Sequence, residues 1–389
     1  MVTAGIANRR PMHRYDLFTL ELFIAVVEEQ SIAAASERAH IAASAISRRI
    51  SELEAMLGAE LLVRHSKGID LTEAGTALLH HARTIQGVEI IGPAPPASGG
   101  VHIVQMLNLL EAYDLAAMGF GTPDTLHLLL EVLKITAVER RAATADPAFV
   151  DVPVARLTAK DYAARRRPEI DPERSGRYAP GVGTNESANT THVTVADADG
   201  TIVTSTQTIN SLFGAKIMIP GTGIVPNNYM YLFDPHPGHA LSLAPGKRIT
   251  SGISALIGCR AGRPVFALGL PDAHRIPSGA LQAVLNLVDH GMSLQEAVEA
   301  TRIFTWGEEA EIEAGIPETV RAALAARGHP VRPVAHVGGG MRAIGLEPDG
   351  TMTGAACWRA DGAPAGLGGG LARAGTSFWP DPRRDAPSA

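Results

Sequence analysis

The stretch NESANTTHVTVADADGTIVTSTQTIN, residues 185–210, decides how the rest of the chain is read. Val193, Val195, Ile202 and Val203 give a strand-like pattern on either side of Asp199-Gly200, a pair suited to a tight reversal. The segment therefore predicts a β-hairpin. With its pivot at Asp199, Thr190 lies opposite Thr208; a pivot half a residue later sets Thr190 opposite Ile209, with Thr208 still adjacent. Either register brings two hydroxyls together at the open end. By itself such a pair is an ordinary cross-strand hydrogen bond, so its chemistry depends on what surrounds it.

The surroundings are those of a soluble globular chain. With 389 residues, 46% hydrophobic and 19% charged, there is enough sequence for more than one domain with a buried core. A net charge of −6 excludes a protein that coats nucleic acid by bulk charge, so any DNA contact must come from a local basic face. Cys259 and Cys357 have no metal-ligand spacing and read as ordinary thiols. MVTAGIANRRPMHRYDLF has no continuous apolar core of a signal peptide, and no later run suits a membrane span. The expectation is a cytoplasmic protein with no membrane partner. His236 and His239 in DPHPGH have no clustered third ligand and read as a surface loop, so neither a metal nor a cofactor is expected.

Along the chain the pattern changes three times. Residues from Tyr15 to about Ile85 are helical in pattern, and GPAPPASGG marks a junction after them. Helices follow to about residue 170, including the apolar-periodic LHLLLEVLKITAVERR. From Thr190 to about Leu270 strands are expected to dominate, then two helices in SGALQAVLNLVDHG and SLQEAVEATRIF, with an irregular tail after Ala363. The expected organisation is three parts, 12–86, 87–189 and 190–389.

In the first part, Ile46, Ile50, Leu53 and Leu57 form one helical stripe, while Ser44, Ser47 and Arg48 fall on other faces. A short helix of small residues, a turn and a helix opening on small polar residues are what a helix-turn-helix needs. Arg64 and Lys67 fall in a hairpin wing, where they can meet phosphates. From about Leu17 to Leu79 the sequence resembles the winged helix-turn-helix of LysR-type transcriptional regulators. Ala35, Glu37, Arg38, His40, Ala45, Ser47, Arg48, Ile50, Leu53-Glu54, Leu57-Gly58, Leu61, Arg64 and LTEAG at 71–75 carry the likeness. It implies double-stranded DNA as a partner, through Ser44, Ser47, Arg48, Arg49, Arg64 and Lys67. Where the family usually opens its recognition helix with Ser, Gln and Pro, this chain has Ala42, Ala43 and Ser44. The family's effector domain does not follow.

From about Val88 to Trp379 the chain resembles gamma-glutamyltranspeptidases, an N-terminal-nucleophile family that also contains acylases. PPASGG at 95–100, LNLLE at 107–111, GFGTPD at 119–124, DPAFVDVP at 146–153, TTH at 190–192, TQTIN at 206–210, NNYM at 227–230 and LQEAVEATRIF at 294–304 carry it. The resemblance implies an α/β (α+β) fold in which a truncated αββα sandwich follows the winged helix-turn-helix. It also implies self-cleavage between Asn189 and Thr190. Thr190 Oγ would attack the preceding carbonyl, an N-to-O acyl shift would give an ester, and its hydrolysis would free an α-amine, with an ordinary pKa near about 8, to act as base. Thr208 matches the threonine that bonds the nucleophile's hydroxyl, and Asn210 one that binds the donor's α-carboxyl and amino end.

The likeness departs on the substrate side. Leu232 stands where the family places an acidic residue, Ser251-Gly252 where it has a Ser-Ser pair, and Asp272-Ala273 where its oxyanion hole uses Gly-Gly. Glycine accepts dihedrals that Asp resists, and a carboxylate beside a developing oxyanion opposes its stabilisation. The early part of the family's large subunit has no counterpart before Val88. Gamma-glutamyl transfer or glutathione hydrolysis, or transfer of another acyl group, is thus the leading expectation. A DNA-binding regulator without its effector domain and a non-functional fusion are the alternatives, with a homodimer as a further partner expectation.

Overall fold

The computed structural model describes residues 17–39, 41–57, 60–65, 68–72, 87–178, 190–260, 262–307, 309–347, 350–360 and 362–366. They fall into two compact units, one ending at Glu89 and including the turn Arg260–Arg263, the other comprising Ile90–Cys259 and the chain from Pro264 onward.

In the first unit, helices α1 (Leu17–Glu28), α2 (Ile32–Ala39) and α3 (Ala43–Leu57) pack on one another, followed by strands β1 (Leu62–His65) and β2 (Gly68–Leu71). The expected stripe is buried at Ile46, Ile50 and Leu53, against Leu22, Phe23, Val26 and Ala35. Glu54 accepts from the backbone N–H of Leu61 at 2.9 Å, which fixes the path from α3 into the hairpin. The hairpin is antiparallel, with Leu62 opposite Leu71 and His65 opposite Gly68.

The second unit opens with β3 (Glu89–Ile91), a short strand inside the expected junction, then α4 (Gly99–Leu110), α5 (Leu115–Met118), α6 (Pro123–Ala143), α7 (Val154–Leu157) and α8 (Lys160–Arg166). Thr122 caps α6 by accepting from Thr125 N–H, and Pro123 fills its first turn, where a missing N–H costs nothing. Next come β4 (Thr191–Ala196), β5 (Ile202–Gln207), β6 (Leu256–Arg260), β7 (Arg263–Gly269) and α9 (Arg275–Val288). The unit ends with α10 (Leu294–Glu299), β8 (Ile303–Thr305), β9 (Ala310–Glu313), α11 (Glu318–Ala326), β10 (Val331–Val334), β11 (Arg342–Leu346) and β12 (Met352–Ala356).

Two expectations are corrected here. Between Gln207 and Leu256 the chain is turns and loops with one 3-10 turn, Tyr229–Leu232, rather than strands. The helix expected over SLQEAVEATRIF stops at Glu299, because Ala300 is extended at φ −47°, ψ 146° and the chain enters β8.

The main sheet runs β12-β11-β7-β6-β3, with β7, β11 and β12 antiparallel in sequence of pairing. Opposed residues share a face and neighbours alternate, so Ala343, Gly345, Phe266 and Leu268 lie on one face and Arg342 and Gly269 on the other. The first face meets α10, for a Cβ added to Gly345 would touch Leu294. The second meets the β4–β5 hairpin, because a Cβ added to Gly269 would lie 2.2 Å from the His192 ring. The order of layers is therefore helix, five-stranded sheet, hairpin. A small three-stranded sheet, β10-β9-β8, stands apart.

Candidate functional site

The β4–β5 hairpin pairs Thr191 with Gln207 and Val195 with Val203, and this register, continued by one residue, sets Thr190 opposite Thr208. Of the two registers expected from sequence, it is the one pivoting at Asp199. Asp197 builds the turn, its Oδ1 accepting from the N–H groups of Asp199 and Thr201, with Gly200 at φ 85°. Those bonds, the Thr201 N–H foremost, hold the Asp197 carboxyl below the usual carboxylate range.

Thr190 is half-buried, immediately before β4. On the same side of the strand lies His192, 3% exposed in a cage of hydroxyls: Nδ1 is 2.8 Å from Thr206 Oγ1, and Nε2 is 3.0 and 3.1 Å from the hydroxyls of Thr194 and Thr204. Burial, reinforced by Arg342, pushes its pKa down to about 4, so the ring is neutral at pH 7. Thr208 Oγ1 accepts from Asn210 N–H at 2.7 Å, and Asn210 is buried in the left-handed region at φ 73°. The Asn210 amide donates to Asn228 Oδ1, and Asn228 in turn donates to Ser211 Oγ at 2.8 Å. TQTIN and NNYM, distant in sequence, thus meet.

The other expected residues gather at the end of β7. Ser98, in PPASGG, donates through both its N–H and its hydroxyl to Ser251 O, each at 2.8 Å, while Thr250 donates to Pro96 O. Gly99 permits this approach, since a Cβ there would lie 2.0 Å from Ser254 Oγ. Asp146, in DPAFVDVP, grips Arg248 through its backbone N–H and guanidinium at 2.8 Å each. That bonding holds the Asp146 carboxyl well below its usual range. Gly252 backs onto the turn at 272–273, where an added Cβ would stand 2.6 Å from Ala273 O and 3.3 Å from Arg140.

At that turn both residues occupy positive φ, Asp272 at 106° and Ala273 at 51°. The backbone keeps dihedrals that glycine adopts freely although neither residue is glycine. Asp272 is buried, its Oδ1 has Arg275 at 3.8 Å, and burial pushes its carboxyl pKa up. A ladder of stacked groups continues from it: Arg275 over Phe304, and His274 and Arg140 against Trp306 at 4.4 and 5.0 Å. Leu232 is buried.

Sequence reading missed His192, the hydroxyl cage around it, and Arg140. TTH carried the only signal for the first, a histidine inside an apolar alternation. It also missed a buried group of His127, Glu131 and His329 whose ligand atoms lie within 4.8 Å of one another. Lys134 Nζ donates there to Glu131 at 2.7 Å and approaches His329 Nδ1 at 3.3 Å, while the His127 ring nitrogens meet His329 Nε2 at 2.7 Å and Asp171 O at 2.8 Å, so the three residues are already engaged with protein groups. His236 and His239 are exposed.

In the first unit Ser44 and Arg48 are exposed on α3, Arg48 lying 3.7 Å from Glu52, while Ser47 is half-buried. Arg49 turns toward α1 and donates to Thr19 Oγ1 at 3.0 Å. Arg64 belongs to β1; its side chain, and the whole of Lys67, lie outside the described residues. Among the described residues no helix is long and apolar enough to cross a membrane.

The second unit is a five-stranded sheet with the β4–β5 hairpin on one face and α10 on the other, and a solved acylase is similar to it. The cephalosporin acylase from Bacillus halodurans superposes with a TM-score of 0.66 at 27% identity, over 74% of this chain and 52% of that one. The sequence model of the gamma-glutamyltranspeptidase family matches residues 72–367, and the chain belongs to that family. Residues 17–76 match the bacterial regulatory helix-turn-helix protein, lysR family. Among curated relatives, the acylase ACY 1 proenzyme of a Pseudomonas species is 60% identical over 293 residues, covering 75% of this chain and 52% of the relative. The glutathione hydrolase proenzyme of Escherichia coli is 35% identical over 287 residues, covering 69% and 49%. The chain thus spans about half the length of the curated relatives it matches.

Proposed function

We propose that the second unit is the nucleophile-bearing part of an N-terminal-nucleophile acyl hydrolase of αββα build, with Thr190 freed by cleavage after Asn189. Thr190 Oγ attacks the acyl carbonyl, its own α-amine takes the proton, and Thr208 orients the hydroxyl from across the hairpin. The turn at Asp272-Ala273 presents backbone N–H groups to the oxyanion, while Asn210 and Ser251 bound the donor. The observation that carries this reading is the hairpin register, which continues to a Thr190–Thr208 pair beside the inward-facing His192. An apolar Leu232 in place of a carboxylate offers nothing to a donor's ammonium, so the donor is an amide-linked acyl group other than γ-glutamyl. The 60% identity to a protein named as an acylase supports the same choice.

Intact mass of the purified chain followed over hours tests the proposal. Two fragments meeting at Asn189/Thr190 are expected from the wild type and none from Thr190→Ala; cleavage that persists in the variant removes Thr190 from the mechanism.

The first unit supports a second reading, a winged helix-turn-helix that binds duplex DNA. It rests on the lysR-family match together with an exposed Arg48 on α3. Arg48→Ala should weaken binding in a gel-shift titration at fixed salt by about 10-fold, and unchanged binding would exclude that residue.

A further inference from the structure

We propose that Cys357 is held as a thiolate, the second anion of a buried cluster with Arg302, Arg359 and Glu313, and that it positions the segment 337–341 beneath the turn at Asp272-Ala273.

The cluster forms where three strands begin or end. Arg302 precedes β8, Glu313 closes β9, and Cys357 and Arg359 follow β12. All four are shut off from water: Arg302 and Cys357 are each 2% exposed, Glu313 1%, and the Arg359 side chain 0%. A guanidinium keeps its proton in a protein, so two positive charges stand here. Glu313 supplies one negative charge, and Arg359 takes both its oxygens, Nε donating to Oε1 at 2.6 Å and Nη2 to Oε2. The Arg302 guanidinium turns instead to Val298 O at 2.8 Å, Gly339 O at 3.1 Å and Cys357 Sγ at 3.7 Å. A buried cation left without an anion is costly. The neighbouring elements do not bring one, for Glu296 and Glu299 on α10 are exposed, and Arg342 on β11, which donates to Gly340 O at 2.6 Å, adds positive charge. Among the described residues Cys357 is the group left to balance the count.

The bonding at sulfur is that of an acceptor. Met341 N–H donates to Sγ at 3.1 Å, the Arg302 guanidinium approaches it, and Arg359 reaches it through both its backbone N–H and its guanidinium. Among the described residues the acceptor nearest an S–H is Gly339 O, 4.0 Å away and already bonded to Arg302 at 3.1 Å. Burial opposes ionisation of the thiol, yet Arg302 and these donors outweigh it and hold its pKa below the ordinary value. Arg302, pulled down to about 10 by burial and by Arg359, is charged at pH 7.

Short steps tie the sulfur to the turn. Cys357 N–H donates to Met341 O at 3.1 Å while Met341 N–H donates to Sγ. Arg302 holds Gly339 O, and Gly339 N–H donates to Pro271 O at 3.1 Å, one residue before Asp272. Cys357 is thus a positioning residue that acts through Arg302 and Gly339. Its charge is independent of the acyl-hydrolase reading; only the consequence for an oxyanion at the turn rests on that reading.

Raman spectroscopy of the full Cys259→Ser chain, in which Cys357 is the remaining thiol, reads the protonation state. At pH 7 the folded chain should lack an S–H stretching band. The band should appear when the chain is unfolded in urea at the same pH, since an ordinary thiol, with a pKa of about 8.5, keeps its proton there. Urea midpoints give a second measurement: Cys357→Ala should lower the midpoint, and Cys357→Asp, which restores an anion at the same place, should recover at least about half of the loss. An S–H band in the folded chain at pH 7 overturns the proposal whether or not either variant folds. So does an alanine variant as stable as wild type, or an aspartate variant that recovers less than that share.

Discussion

Asp272→Gly should make the second unit more stable, although it deletes a side chain from a buried position. An Asp at φ 106° is held outside the ordinary regions at a cost of about 1–3 kcal/mol, and glycine removes that cost while losing roughly 0.5–1 kcal/mol to the greater freedom of its unfolded chain. The lost contact with Arg275 is long and partly exposed, worth at most about 0.5 kcal/mol, and Arg275 keeps both its bonds to Glu311 at 2.7 Å. The net gain is about 1 kcal/mol before the charge is considered. Burial raises the Asp272 pKa above its unfolded value of 3.8, so the native state holds its proton more tightly than the unfolded state does. That contribution favours folding below pH 3.8 and is lost as pH rises through the raised value, so ionised Asp272 is a liability at neutral pH. The advantage of glycine should therefore grow as pH rises from 3.8 through the raised value and level off above it. Urea unfolding followed by tryptophan fluorescence reads this unit alone, because Trp306, Trp358 and Trp379 all lie beyond Glu89. A variant less stable than wild type, or one whose gain shrinks as pH rises, would refute the reasoning.

Two further outcomes follow from buried groups. Lys134→Met should destabilise the unit by about 3–5 kcal/mol, because Glu131 would remain buried with its charge uncompensated; Glu131→Gln/Lys134→Met should recover part of that loss, measured by the same urea curves. On acidification, His102, His192 and His329, with pKa values pushed down by burial to about 4, 4 and 3, must take up protons that the unfolded chain accepts near pH 6.5. Their stabilisation is present above pH 6.5 and disappears as pH falls toward those values, by about 3 kcal/mol for His192 alone. His192→Gln should flatten stability against pH over this range; an unaltered slope would mean that His192 titrates normally.

What the sequence showed and hid can be traced to particular residues. Asp199-Gly200 announced the hairpin and its pivot because a reversal needs that chemistry at one place, and the structure settled between two registers that alternation alone left open. Alternation states that two faces differ but not which is inward, so the outward valines and the caged His192 were invisible until Gly269 was seen beneath the ring. The mistaken strands between Gln207 and Leu256 had visible warnings in Gly214, Pro220, Gly221, Gly223, Pro226, Pro235 and Pro237, which break a ladder wherever they fall. The helix that overran Glu299 had none, since ATRIF is compatible with a helix and is drawn into β8 by pairing with β9, where Ile303 meets Ile312 and Thr305 meets Ala310. The turn at Asp272-Ala273 is the most telling case. Its side chains argued against glycine-like dihedrals, yet the backbone adopts them, because Gly339 N–H donates to Pro271 O, Arg275 N–H donates to Asp272 O, and Gly252, lacking a Cβ, leaves room for Ala273 O where an added Cβ would stand 2.6 Å from it. One bond within the turn and two neighbours from distant parts of the chain accommodate that backbone. The consequence for chemistry is that substitution here alters the charge and strain of the turn before it alters the direction of its N–H groups.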